Sequence, residues 1–167
     1  AWLSGNIVSR QPLSRSPADI LIAVGLSVGF DERNWIDARR YAITDAVCQN
    51  TDDPTEGRDI CDDQSIVIGY AGYDNKTRYL PPEQFLVHSL CNALWHSSRE
   101  GELKGCGPDG KVLVILREEA AGWYLERILV TLQHQQSMGL LEVTANVQTT
   151  LKDNYEGLSA TDSRWRS

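Results

Sequence analysis

Few residue groups in this 167-residue chain have the types and spacing for chemistry. Gly25-Leu26-Ser27-Val28-Gly29 fits G-x-S-x-G, the letters of a serine nucleophile on a strand-to-helix turn. Such a serine needs a histidine base, and His134 is the candidate partner for Ser27. Two residues, Phe30 and Asp31, separate the motif from the helix expected after it, and the chain is short for a hydrolase of that kind. Adjacent carboxylates could serve glycoside hydrolysis as acid and base, and they occur at Asp31/Glu32, Asp62/Asp63 and Glu118/Glu119. Such pairs at helix starts and in loops ordinarily serve as caps or solvated charge.

Metal chemistry has less support. His88 and His96 share one helical pattern but stand eight residues apart, about 12 Å along a helix axis, too far to share an ion. The acidic stretch from Asp52 to Asp63 lacks the alternating ligand spacing of a calcium loop. No phosphate-cradling glycine loop with a Lys-Ser/Thr end is present. These readings predict no metal and no cofactor. Tyr70, Tyr73 and Tyr79 cluster near a predicted strand end and could form an aromatic contact surface for a sugar or a protein.

Four cysteines, Cys48, Cys61, Cys91 and Cys106, are separated by gaps unlike those of a zinc site. Each of two units reads as helix, Cys, polar loop, Cys, strand. That pattern predicts the disulfides Cys48–Cys61 and Cys91–Cys106, each closing a loop of about 15 residues and worth about 3 kcal/mol. Asn75-Lys76-Thr77 is a glycosylation sequon in a turn-like stretch, and the chain opens on Ala1. Together these signals predict a secreted, extracellular protein glycosylated at Asn75.

The elements that would hold these residues alternate. Residues 1–17 read as an extended arm, with a short strand at Asn6–Ser9. Ile20–Val28, rich in Ile, Leu and Val, reads as a buried strand. Asp31 then caps a helix over about 32–48, with Trp35, Ile36, Ala42, Ile43 and Val47 on its apolar face. A loop at 49–63 carries a net charge of −5, most of the −7 of the whole chain. Ser65–Tyr70 reads as a strand, and Pro81-Pro82 opens a second helix with Phe85, Leu86, Leu90 and Leu94 on one stripe. Glycines mark 99–110 as loop, Lys111–Leu116 as strand, 118–139 as helix, Leu141–Thr149 as strand and 151–167 as a polar tail. The expectation is an α/β or α+β fold in the order β-α-β-α-β-α-β, with one globular domain over 18–150.

An acidic pI near 4.9 argues against nucleic acid and anionic membranes as partners. The longest apolar run, Ile20–Val28, is too short to span a bilayer. With its short chain and paired cysteines, the sequence resembles the small secreted effector and toxin-like proteins of fungi. The leading expectation is therefore an interaction protein, a binder and not an enzyme, that recognises a protein or glycan on a target cell. The alternatives are a small secreted hydrolase using Ser27 or a carboxylate pair, and a self-associating subunit with an apolar helix face as its interface.

Overall fold

The computed structural model describes residues 1–9, 11–33, 35–50 and 66–166. The chain divides into two compact units, 1–68 and 69–167.

In the first unit, β1 (Trp2–Val8) and β2 (Thr44–Asn50) pair in parallel, from Trp2 opposite Thr44 to Val8 opposite Asn50. Between them runs α1 (Pro17–Val28). This helix occupies the run expected to be a strand, and its ends explain why. The Ser16 hydroxyl accepts the Asp19 amide at 3.0 Å, Pro17 presets the first turn, and Gly29 closes the helix at φ 109°. Local capping thus overrides the β-branched composition of Ile20–Val28. A Cβ on Gly25 would lie 2.6 Å from the Ala38 Cβ, so α1 packs against the short 3-10 turn Ala38–Arg40 only because residue 25 has no side chain.

The helix expected over 32–48 is absent. Trp35 and Ile36 are exposed, and the segment from Thr44 is strand β2. Asp31 caps no helix. Its carboxylate accepts the Arg33 amide and pairs with the Arg33 guanidinium at 2.6 Å, which lowers its pKa to about 2.

In the second unit, α2 (Pro82–Glu100) begins at the proline pair, as the sequence predicts. The strand expected at Lys111–Leu116 lies within the longer β3 (Cys106–Glu119). The helix expected over 118–139 is instead β4 (Gly122–His134), antiparallel to β3. The chain reverses through Ala120 and Ala121, and Gly122 at φ 139° carries it back into the sheet. A Cβ at Gly122 would come within 2.2 Å of the Arg164 carbonyl oxygen, which makes this position a close backbone crossing.

The strand expected at Leu141–Thr149 is the first part of α3 (Leu140–Thr161), with Val143, Val147, Leu151, Tyr155 and Leu158 on its inner face. Residues after 150 continue this helix and end in β5 (Trp165–Arg166), parallel to β4. The sheet order is β3-β4-β5, and α2 and α3 share a core with one of its faces. That core holds Leu86, Leu90, Leu94 and Leu103 together with Trp123, Tyr155 and Trp165. Among the described residues the fold is therefore α+β, with three helices and five strands in the order β-α-β-α-β-β-α-β.

Ile66, Val67 and Ile68 of the expected strand Ser65–Tyr70 belong to no helix or strand and are about 90% exposed. Ser65 and most of the acidic loop, including Cys61, lie outside the described residues. The two disulfides are not formed. Cys48 on β2, Cys91 on α2 and Cys106 at the start of β3 are free thiols. Cys106 packs against the core while Cys91 is exposed on its helix, so the two belong to different surroundings despite their spacing. Partial desolvation by neighbouring groups raises both thiols above their ordinary pKa.

An ionic cluster fastens the end of the second unit to its beginning. Arg164 donates to both carboxylate oxygens of Asp162, with Nε at 3.0 Å and 3.1 Å, and its Nη1 lies 2.7 Å from Asp74 Oδ2. Its guanidinium also stacks 4.7 Å above the Trp123 ring. Asp162 is buried, and the Arg164 hydrogen bond holds its pKa at about 2.

A depressed native pKa means that this stabilisation is complete above the unfolded-state value near 3.9 and is lost as pH falls toward 2. Asp162→Asn is expected to flatten the stability curve between pH 5 and 2 and to cost about 1–2 kcal/mol at neutral pH, read from urea midpoints across that range. In limited proteolysis, elastase is expected to cut first at Ile66–Ile68, with mass spectrometry identifying the nick.

Candidate binding groove

The helical repeat of α2 brings Cys91, Trp95 and Ser98 onto one flank, with Asn92 beside them. Opposite them, β3 departs from regular pairing. Its register shifts between Cys106 and Gly110, so Gly107-Pro108-Asp109 arches away from β4. The space between flank and arch is a cavity of about 480 Å³, floored by Leu94, Val112 and Leu132, with Lys111 and Thr131 at its side. Gly110 keeps it open. A Cβ there would meet Leu132 Cδ1 at 3.1 Å and the Thr131 carbonyl at 3.2 Å.

A second cavity of about 290 Å³ continues along β3 past Glu83, Gln84, Val87 and His88, and both cavities share Lys111 and Val112. Together they form a trough along the edge of β3 that β4 does not occupy.

Two features give the trough chemical character. Trp95 stands at one end, 44% exposed, with the Arg99 guanidinium 5.0 Å from its ring and the His96 ring edge-on at 4.9 Å. The Ser98 hydroxyl donates to the Trp95 carbonyl at 2.8 Å, which fixes this turn. Lys111 sits where the two cavities join, and it forms no ion pair among the described residues. Lys111 is exposed at the rim of this largely apolar trough, and a cation at that place suits an anionic group on a ligand with an apolar body. Among the described residues no cluster of three His, Cys, Asp or Glu could hold a metal ion.

The residues singled out from the sequence lie elsewhere. Ser27 falls inside the last turn of α1, where its hydroxyl donates to the Val24 carbonyl at 2.8 Å, and no strand-to-helix turn surrounds it. His134 ends β4 in the other unit, with Nδ1 3.1 Å from the Gln135 carbonyl. Glu32 pairs with Arg39, and Glu119 pairs with Arg117 at the end of β3. Asp62 and Asp63 lie outside the described residues.

Tyr70, Tyr73 and Tyr79 are all exposed, and the Gly72 amide donates to the Tyr79 carbonyl at 2.7 Å. Asn75 opens a short 3-10 turn. Thr77 of the same sequon is buried, and its hydroxyl donates to the Leu80 carbonyl at 2.9 Å. Sequence reasoning passed over Lys111, Trp95 and Asn92. The available signal was Pro108-Asp109-Gly110-Lys111, which places one cation at the mouth of an otherwise apolar strand.

The sheet's other face is open. Leu113 and Ile115 of β3 and Leu129 of β4 project there with 41–57% exposure. Beside them Arg117 bonds Glu126 at 2.9 Å and stacks on Tyr124.

Residues 59–162 match the family described as S-adenosylmethionine synthetase, central domain. An S-adenosylmethionine synthase of Acholeplasma laidlawii is 38% identical over 87 residues, covering 51% of this chain and 22% of that protein. One from a Picosynechococcus species is 31% identical over 91 residues, covering 54% and 22%. One from Gloeothece citriformis is 24% identical over 191 aligned positions, covering 88% and 45%. The chain thus spans less than half the length of each of these relatives.

These matches overturn the reading of a secreted, effector- or toxin-like protein with a partner on a target cell. The extracellular location falls with it, and the cysteine pairing that was one of its supports is not formed at Cys48, Cys91 or Cys106. No helix among the described residues is long and apolar enough to cross a membrane.

Gly110→Val is expected to fill the trough and strain the hairpin, lowering stability by about 1–3 kcal/mol. Thermal unfolding checks this against Gly157→Ala, a helical position with open space around its Cβ.

Proposed function

Because this chain belongs to the S-adenosylmethionine synthetase family, we propose that it supplies the central domain of an enzyme that forms S-adenosylmethionine. The observation that carries this reading is the overlap of the family match, residues 59–162, with the second compact unit, residues 69–167. That overlap takes in α2, the β3–β4 hairpin and α3, and stops short of β5. The free thiols of Cys48, Cys91 and Cys106 agree with a reducing, intracellular setting.

Within this reading, Lys111 contacts the anionic part of a substrate. Its place at the junction of the two cavities supports that role. The protein that carries this chain, given methionine and ATP as adenosyl donor, is expected to yield S-adenosylmethionine by mass spectrometry. Lys111→Met is expected to lower kcat/KM by about tenfold to a hundredfold, the equivalent of one charged hydrogen bond, with the thermal midpoint kept. A folded protein that makes no product refutes the activity. Full activity in the variant refutes the role of Lys111.

The open sheet face favours self-association through a second copy. Leu113, Ile115 and Leu129 present apolar surface on a sheet whose opposite face is already filled. A two-fold pairing of identical faces would cover it. Leu129→Glu is expected to shift the sedimentation-derived mass to that of a monomer while the circular dichroism stays unchanged. An unchanged mass rules this face out as the interface.

A further inference from the structure

We draw no further inference here: the strongest candidate, the trough along the unpaired edge of β3 between Glu83 and Ser98 of α2, belongs to the site already described, and nothing in the structure shows what else would cover its open side.

Discussion

Leu86, Leu90 and Leu94 recur every fourth residue on α2 and are almost wholly removed from water against the inner face of the β3–β4 hairpin. Each such side chain contributes about 1.5–3 kcal/mol on burial. The stripe fixes the rotation of α2, and rotation sets Cys91, Trp95 and Ser98 on a partly exposed flank that borders the β3 edge. The same contact selects which face of the hairpin is inside. Val112, Val114 and Leu116 therefore turn toward the helices, and Leu113 and Ile115 turn away.

From that choice the asymmetry of the sheet follows. A two-layer fold with both helices on one face leaves the opposite face to water or to another surface. Its apolar character is then a consequence of strand composition: a strand written Lys-Val-Leu-Val-Ile-Leu cannot be apolar on one side only. This is why Lys111–Leu116 reads from sequence as a strand, although Leu113 and Ile115 on its outer face stay exposed. The continuous apolar run reported the need for two covered faces, and the fold supplies one.

The legible parts of the sequence were those with a single physical explanation. Pro81-Pro82 followed by a four-residue leucine repeat admits only a helix, and α2 starts there. Lys111–Leu116 admits only a strand. The misread parts had two competing explanations. Ile20–Val28 has strand composition but helix caps, and Ser16, Pro17 and Gly29 settle the contest because they satisfy amides and set φ before any packing occurs. In Trp123–Leu132 the apolar residues fit a helical face and a bulged strand nearly equally. Two-residue spacing is broken once, at the register shift between Ile115 and Leu116 opposite Arg127 and Leu125, and that one extra residue mimics helical spacing. The bulge hid the second strand of the hairpin, and with it the arch, the groove and Lys111.

The cysteines failed for a different reason. Spacing measures contour length, and a disulfide requires approach in space and an oxidising compartment. Cys91 and Cys106 are fifteen residues apart, but their elements meet through Leu90 and Leu94, which point the helix's Cys91 flank outward. What looked like a staple between helix and strand is instead a hydrophobic seam with a thiol on its outer flank and another at one end. The seam alone holds α2 against β3 there. The trough is consequently bounded by packing on one side and by a glycine-opened arch on the other, with no covalent tie across it. Lys111 lies where the two parts of the trough meet, so the function proposed for this unit turns on that residue and not on the histidines or the carboxylate pairs.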